Sequence, residues 1–369
     1  MTHNDILQKP SENKGPASLG FGCMRFPSGS GEVVKMTDAY LEAGFNYFDT
    51  AYIYGGSEEM LNKALVTRHK RESYIIADKI PPWHVRDRSS CDKLYKTILK
   101  RLGIDYLDFL LVHSLDDDNE RKAVNADVYS WAAEQKKKGN LGHVGFSFHG
   151  STELLEKVLN DHPEMEFVQL QLNYMDIMRG NGGQWHELAM KRDMPIIVME
   201  PLRGGALAKL PPAAESLMKA HAPDSSIASW AMRYAAALTG VTCVLSGMSS
   251  YSQMKDNIRT FSPLKPLATE EMGIIEAALS EIGKISSVPC TGCGYCLKDC
   301  PLQIEIEKCF SLYNEVKRGG AKWNLSMIYD TITQGRKAGD CTSCGACVKR
   351  CPQHINIPKE LKTVTRMFG

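Results

Sequence analysis

From residue 18 to residue 261, short apolar runs alternate with amphipathic segments, and this pattern limits the fold more than any other feature. Runs such as SYIIADKI (73–80) and LDFLLVHS (107–114) are typical of buried strands. Segments such as EVVKMTDAYLEAG (32–44) place apolar residues at helical spacing. Roughly eight such alternations predict an α/β fold with a parallel sheet covered by helices.

The stretch GFNYFDTAYIYGGSEEMLNKAL (44–65) joins one predicted strand to the helix that follows it. The strand begins at Phe45 and ends on the carboxylate of Asp49, and the glycine-punctuated loop after it carries Tyr54. In a (β/α)8 barrel, active sites lie at the carboxyl ends of the strands and in the loops that follow. Taken alone, the stretch is equally well explained by a capped helix after a core strand, with Asp49 stabilising the loop.

Two further strands end on ionisable side chains, because run 73–80 carries Lys79 and run 107–114 carries His113. A lone lysine or histidine at a strand end is more often solvated or a satisfied core residue. With Asp49 and Tyr54, however, these residues give the order Asp, Tyr, Lys, His, and residues 17–280 thereby resemble the aldo-keto reductase superfamily. The resemblance implies a (β/α)8 (TIM) barrel whose catalytic residues are Asp49, Tyr54, Lys79 and His113.

The chemistry implied by this resemblance is hydride transfer between nicotinamide C4 and a carbonyl carbon, with a proton supplied to the oxygen. Tyr54 is the predicted general acid. A phenol has an ordinary pKa of about 10, so the role requires a cation that lowers the pKa. Lys79 is predicted to supply that charge, Asp49 to hold Lys79, and His113 to orient the carbonyl oxygen. Trp83, in the loop PPWHVRDRSS, is either a substrate contact or a surface residue.

The chain has no glycine motif of the Rossmann type, and the resemblance implies an extended dinucleotide across the barrel mouth. It assigns Ser147 and Gln171 to the nicotinamide carboxamide, PLRGG (201–205) to the pyrophosphate, and VLSGMSSYSQMKDN (244–257) to the adenosine phosphate. Small residues and hydroxyls before a helix suit an anion. The predicted cofactor-binding residues are Ser147, Gln171, Met199, Pro201, Leu202, Gly204, Ser246, Gly247, Ser249, Gln253 and Asn257.

Three positions depart from the common pattern of the family. Phe148 stands where many relatives have Asn, and Met199–Glu200 stands where an aromatic ring commonly stacks on the nicotinamide. Gln253 stands where many relatives have an Arg for the 2′-phosphate, with Lys255 and Arg259 as the nearby cations that could compensate. The cofactor is therefore expected to be NADP or NAD, and a flavin is an alternative.

The segments CTGCGYCLKDCP (290–301) and CTSCGACVKRCP (341–352) share the pattern C-x2-C-x2-C-x3-C-P, which is typical of [4Fe–4S] ligation. The fourth cysteine of such a run usually ligates the other cluster. Zinc is the alternative, although zinc sites usually need only paired C-x2-C halves. The predicted ligand sets are Cys290, Cys293, Cys296 and Cys351 for one cluster, and Cys341, Cys344, Cys347 and Cys300 for the other.

The insert 302–340 predicts two helices, and the tail resembles the helical two-cluster ferredoxin modules appended to fumarate-reductase-like enzymes. Its lysines form either a solvated face, which we favour, or a docking patch for an acidic electron carrier. Four further cysteines are predicted to be buried apolar residues rather than metal ligands. The exclusion of Cys309 as a ligand is the least firm of the four, because it lies near the two cysteine runs. They are Cys23, Cys91, Cys243 and Cys309.

A length of 369 residues suits a barrel of about 250 residues plus an appendage. A net charge of +1 indicates no general attraction to nucleic acid or to an anionic membrane. The polar N-terminus lacks the apolar core of a signal peptide, so a cytoplasmic protein is expected. The predicted division is a mobile leader (1–16), the barrel (17–282) and a mostly helical ferredoxin-like 4Fe-4S domain (283–369).

Two functions remain open on the sequence. The first is an NAD(P)-linked oxidoreductase that reduces a small carbonyl or oxidises an alcohol and exchanges electrons with two [4Fe–4S] clusters. The second is a redox-sensing or electron-transfer subunit whose barrel binds NAD(P) or flavin with little turnover. Nicotinamide moves two electrons as hydride and each cluster moves one, so a flavin, a radical-stabilising substrate or a soluble electron-transfer protein would have to link them.

Overall fold

A computed structural model of the chain describes residues 7, 17–27, 29–285, 287–317, 322–333 and 335–369. Eight parallel strands pair in chain order and close into a barrel through pairing of the last strand with the first. The predicted barrel fold is therefore confirmed. Its strands are β1 (Ser18–Gly22), β2 (Tyr47–Asp49), β3 (Ile75–Ile80), β4 (Leu107–Leu115), β5 (Leu141–Phe148), β6 (Phe167–Gln171), β7 (Ile196–Met199) and β8 (Val241–Ser246).

Helices follow the strands, and several begin at a side-chain cap that the sequence supplies. Asp87 accepts a hydrogen bond from the Ser90 N–H, and Ser151 accepts one from the Leu154 N–H. The helices of residues 30–283 are Ser30–Glu42, Ser57–Leu61 (continued by a π-helix, Asn62–Val66), Arg88–Leu102, Asp117–Asn125, Val128–Lys137, Thr152–Asp161, Tyr174–Arg179, Gly182–Lys191, Pro212–His221, Ile227–Ala236, Tyr251–Phe261 and Thr269–Gly283. Short 3-10 turns lie at Cys23–Arg25, Arg71–Ser73, Pro82–His84 and Arg203–Gly205.

The barrel interior is filled by large apolar side chains rather than left open. Every residue of β3 and β4 is buried, which explains why these strands are continuous apolar runs rather than alternating ones. Leu7 is half-buried against this interior and is the one described residue of the predicted leader; the rest of residues 1–16 lies outside the described residues. The interior cluster comprises Tyr47, Ile75, Ala77, Phe109, Leu111, Phe167, Ile197, Cys243 and Leu245.

Two local predictions are wrong because polar side chains cap helices where the sequence pattern predicted a loop or a strand. SLDDDNERK was expected as an acidic loop but enters the helix Asp117–Asn125, because Asp116 accepts a hydrogen bond from the Asn119 N–H at 2.8 Å. The strand expected over 165–176 ends at Gln171. Asn173 then caps the helix Tyr174–Arg179 by accepting from the backbone N–H of residues 175 and 176.

The described chain separates into two compact units, one of residues 1–201 and 231–267 and one of residues 202–230 and 268–369. The loop after β7 therefore belongs to the same unit as the cysteine-rich tail. The domain boundary at 282–283 stays a prediction. Among the residues that the structure describes, no helix is long and apolar enough to cross a membrane.

The cysteine-rich tail is built as a repeat, since each cysteine run is followed by a helix. The helices are Ile306–Lys317 after the first run and Ile357–Phe368 after the second, with Lys322–Thr333 between them. The two helices predicted in the insert are thus present. The side chain of Asn314 bonds both the N–H and the carbonyl of Val288, at 2.8 and 2.7 Å, and so fixes the start of the first run.

Candidate functional site

The four predicted catalytic residues lie together at the carboxyl ends of β2, β3 and β4. Asp49 is the last residue of β2, Lys79 is the penultimate residue of β3, and His113 lies near the end of β4. All three are buried. The Tyr54 ring meets the His113 ring edge-on at 5.9 Å, and the Lys79 Nζ lies 5.2 Å from the Tyr54 ring centroid.

Lys79 forms a buried ion pair with Asp49, with 2.5 Å between Nζ and Oδ1. Lys79 also donates to the Thr50 carbonyl at 2.7 Å. The other oxygen of Asp49 accepts a hydrogen bond from Nε2 of Gln169, on β6 across the barrel, at 2.9 Å. Sequence reasoning missed Gln169, although its alternation with Gln171 in an otherwise apolar strand was a signal that both face the interior.

Burial determines the protonation states of His113 and Tyr54. Burial and the charge of Lys79 hold the pKa of His113 well below its usual value, so the imidazole is neutral near pH 7. Burial, followed by the carboxylates of Asp49 and Glu200, raises the pKa of Tyr54 well above its usual value. Burial and these carboxylates outweigh the lowering that was predicted from Lys79, whose own role stays a prediction. Tyr54 is a protonated phenol.

Glu200 brings a further charge to the site that the tetrad does not include. Its backbone is left-handed, with φ of +53°, and Asn173 Nδ2 donates to its carbonyl at 3.1 Å. Its carboxylate lies 3.8 Å from the Arg25 guanidinium. Arg25 in turn approaches Gly247, where an added Cβ would lie 3.6 Å from Nη1. The Trp83 ring lies 5.7 Å from the His113 ring, which places this loop residue against the site.

The predicted carboxamide contacts lie at the ends of adjacent strands. On β5, the hydroxyl oxygen of Ser147 accepts a hydrogen bond from the Ser114 N–H at 2.7 Å, which leaves its O–H to donate. On β6, Gln171 Nε2 donates to Asp176 at 2.7 Å. Phe148 packs edge-on against Trp185, with ring centroids 5.7 Å apart, and supplies no polar group in place of the family's Asn.

The predicted adenosine-phosphate segment is held by bonds within the chain. Asn257 Nδ2 donates to the Ser246 hydroxyl at 2.8 Å. Gln253 Oε1 accepts from the Ser249 N–H at 2.8 Å. At the start of the helix Tyr251–Phe261, the first backbone N–H donates to Glu32 Oε1 at 3.0 Å. A carboxylate thus accepts a hydrogen bond from one of the backbone amides that were predicted to bind a phosphate.

The predicted cofactor-binding residues at and after the end of β7 are divided between the two compact units. Met199 packs against the barrel interior, and Pro201 is buried. Leu202 precedes the 3-10 turn Arg203–Gly205. Gly204, with φ of +65°, belongs to the unit of the tail, and an added Cβ would lie 2.1 Å from the carbonyl oxygen of Thr291 in the first cysteine run. The loop after β7 therefore touches that run.

Two cavities in the tail are each bordered by four cysteines, drawn from both runs. One is lined by Cys290, Cys293, Cys296 and Cys351, and the other by Cys300, Cys341, Cys344 and Cys347. These are the two predicted ligand sets, including the exchange of the fourth cysteine. Within the described ranges, no group of three or more His, Cys, Asp or Glu side chains is arranged to hold a single metal ion. Four cysteines around one cavity match the number of thiolates that ligate a [4Fe–4S] cluster.

Backbone conformation and charge also suit iron–sulfur ligation. Gly292 and its counterpart Ser343 are both left-handed, with φ of +66° and +60°, and the Gly292 N–H donates to the Cys290 sulfur at 3.4 Å. Burial raises the pKa of the Cys290 thiol to about 12, so the thiol is protonated near pH 7 unless a bound cation favours its thiolate. The four cysteines outside the runs are all buried, as predicted: Cys23, Cys91, Cys243 and Cys309.

Comparison with known families agrees with this geometry. The sequence model described as the Aldo/keto reductase family matches residues 18–280, and the 4Fe-4S dicluster domain matches residues 289–356. The chain is 26% identical over 297 residues to L-galactose dehydrogenase of Arabidopsis thaliana, covering 73% of this chain and 90% of the relative. It is 22% identical over 294 residues to the uncharacterized oxidoreductase YqkF of Bacillus subtilis, covering 71% and 92%.

Solved structures share the barrel. The holo form of aldo-keto reductase AKR11C1 from Bacillus halodurans matches with a TM-score of 0.61 at 23% identity, covering 73% of this chain and 95% of that one. An aldo/keto reductase from Klebsiella pneumoniae in complex with NADP and acetate matches with a TM-score of 0.60 at 20% identity, covering 74% and 94%. At these identities the likeness concerns the fold.

Proposed function

The chain belongs to the aldo/keto reductase family, with a 4Fe-4S dicluster domain at its C-terminal end, and we propose that it interconverts a small carbonyl compound and its alcohol with NAD(P). The observation that carries this proposal is the buried Lys79–Asp49 pair beside Tyr54 and His113. Three buried ionisable groups beside a half-buried tyrosine cost free energy, and a barrel without chemistry would gain nothing by holding them.

The protonation state of each residue determines its proposed role in the reaction. When bound, a reduced nicotinamide supplies the hydride. The Tyr54 hydroxyl gives its proton to the carbonyl oxygen and is then reprotonated from solvent. The neutral His113 donates a hydrogen bond to the same oxygen and so orients it. Lys79 offsets the negative charge that forms on Tyr54, and Asp49 with Gln169 holds Lys79 in place. In alcohol oxidation the proton moves in the opposite direction.

The Tyr54→Phe variant tests this assignment. It removes the proton donor and keeps the ring, so we expect a fall in carbonyl turnover of about 10²–10⁴-fold. NAD(P)H affinity, measured by fluorescence titration, should stay within a factor of about two to three because the ring remains. Tyr52→Phe, two residues earlier in the same loop, is the matched control and should retain activity. Near-normal turnover by Tyr54→Phe would remove Tyr54 from the mechanism.

The proposal includes two [4Fe–4S] clusters, held by the two cysteine sets that line the cavities. Clusters supply one-electron chemistry, and a soluble electron-transfer protein is the proposed partner. Anaerobically purified protein should contain about eight irons per chain. Cys344→Ser should lower the iron content, while Cys309→Ser should leave it unchanged. Retention of all iron by Cys344→Ser would contradict the ligand assignment.

A second function is favoured by the charges at the barrel mouth. Glu32 accepts a hydrogen bond from an amide of the predicted phosphate site, and Glu200 lies where relatives commonly stack an aromatic ring on the nicotinamide. These carboxylates oppose dinucleotide binding, as expected of a redox-sensing or electron-transfer subunit with little turnover. Steady-state carbonyl reduction by cluster-loaded protein distinguishes the two functions, because only the enzyme sustains many turnovers.

A further inference from the structure

The regular pairing of β4 with β5 breaks directly after His113. Val112 and Leu115 of β4 lie opposite positions 146 and 148 of β5, so β4 has one more residue than its partner over this stretch. The additional residue makes a β-bulge of His113 and Ser114. Bulges often lie beside active sites, where they change the direction of a side chain.

Ser114 has a left-handed backbone conformation, with φ of +56°, although it lies inside a strand. Glycine adopts this conformation freely, whereas other residues adopt it at a cost in free energy and only where the surrounding structure imposes it. Ser114 is also buried, so this is not a turn that solvent accommodates. The contacts of Ser114 must therefore offset the strain.

Two buried side chains hold the backbone of Ser114, one at its N–H and one at its carbonyl. The N–H donates to the hydroxyl oxygen of Ser147 at 2.7 Å, and the carbonyl accepts from Asn119 Nδ2 at 2.7 Å. Ser147 and Asn119 are 1% and 6% exposed, so water does not compete for these bonds. Pairing with β5 resumes at once, because the Leu115 carbonyl accepts from the His149 N–H at 2.8 Å.

Asn119 reaches Ser114 because the helix that follows β4 begins between them. Asn119 is the third residue of that helix, and its N–H donates to the capping side chain of Asp116 at 2.8 Å. The next residue, Glu120, is buried and accepts a hydrogen bond from the hydroxyl of Tyr129 in the following helix. The first turn that carries Asn119 is therefore held by its cap and by a neighbouring helix.

We propose that Asn119 is a positioning residue for His113 and acts through the left-handed conformation of Ser114. His113 directly precedes Ser114, and its buried ring lies 5.9 Å from the Tyr54 ring and 5.7 Å from the Trp83 ring. A rotation of Ser114 out of the left-handed conformation would turn the peptide that joins it to His113 and displace this ring. The inference rests on the proposed function, in which His113 orients the carbonyl oxygen.

A double-variant cycle tests the positioning role. Asn119→Leu removes the donor at similar size, so kcat/KM for carbonyl reduction should fall about tenfold, as for loss of one hydrogen bond to the reacting oxygen. Glycine adopts the left-handed conformation without strain, so the same change made in Ser114→Gly should cost only about two- to threefold. If Asn119 were only a structural contact, the loss would be equal in both backgrounds, and that outcome would overturn the proposal.

A matched control separates this effect from general damage to the helix. Asn125→Leu makes the same replacement at the exposed last residue of the same helix and should keep kcat/KM within about a factor of two. Asn119→Ala, which adds no larger side chain, takes the place of Asn119→Leu in both backgrounds if that variant does not fold.

Nuclear magnetic resonance tests the position of His113 without turnover. In full-length, histidine-labelled protein with oxidised clusters, the His113 signal is the one absent from His113→Asn. Wild type should show a single signal of a neutral imidazole near pH 7. Asn119→Leu should shift or split this signal, and the addition of Ser114→Gly should restore it. An unchanged His113 signal in Asn119→Leu would overturn the proposal. A chain without any carbonyl turnover would refute the proposed function, while this spectrum would still decide whether Asn119 positions His113.

Discussion

Removal of one charge from the Lys79–Asp49 pair should destabilise the barrel strongly. Asp49→Asn preserves the shape of the side chain but leaves the Lys79 ammonium, with 1% of its side chain exposed, facing a neutral amide. Breaking a buried pair by removal of one partner costs about 3–5 kcal/mol. In a domain of this size, 1 kcal/mol shifts Tm by about 2–4 °C, so Asp49→Asn should lower Tm by roughly 6–20 °C.

Thermal unfolding followed by circular dichroism measures this effect. The double variant Asp49→Asn with Lys79→Met should unfold at a higher temperature than Asp49→Asn alone, because no buried charge is left uncompensated. Asp161→Asn is the control, since its pair with Lys157 is about half exposed on both sides and exposed pairs contribute about 0–1 kcal/mol. If Asp49→Asn has the same Tm as this control, the Lys79–Asp49 pair does not contribute the stability assigned to it.

Three further changes have defined outcomes. Glu32→Gln removes a carboxylate from the predicted phosphate site, so calorimetry should show NADPH affinity rising relative to NADH; an unchanged ratio would contradict this placement. Glu200→Gln removes a charge that raises the pKa of Tyr54, the proposed acid and base, so the rise of alcohol oxidation with pH should begin at lower pH; a shift to higher pH would contradict the sign. Gly204→Ala places a methyl group 2.1 Å from the Thr291 carbonyl oxygen and should lower iron content, whereas Gly29→Ala, with open space around it, should not.

The grouping of Asp49, Tyr54, Lys79 and His113 and the two cysteine sets could be predicted because their positions follow from local patterns. Asp49, Lys79 and His113 each lie at the end of an apolar strand, and parallel strands bring such ends to one edge of the barrel. The spacing of the cysteines similarly identified the four residues that border each cavity.

The residues that sequence reasoning missed depend on contacts that arise only when the barrel closes. Gln169 reaches Asp49 across the interior from a strand 120 residues later. The contact of Glu32 with the backbone of Tyr251 spans 219 residues. The raised pKa of Tyr54 follows from burial, which residue types alone do not reveal. Long-range pairing and desolvation, rather than local propensity, thus determine the hydrogen bonds and the pKa shifts of this site.

Transfer of deuterium tests the central claim most directly. Cluster-loaded protein is incubated anaerobically with a small aldehyde and NAD(P)H deuterated at C4, and the alcohol product is analysed by mass spectrometry. The account predicts one deuterium on the carbinol carbon in wild type and little product with Tyr54→Phe. Reduction without deuterium on that carbon, or equal product from Tyr54→Phe, would contradict hydride transfer assisted by the tetrad.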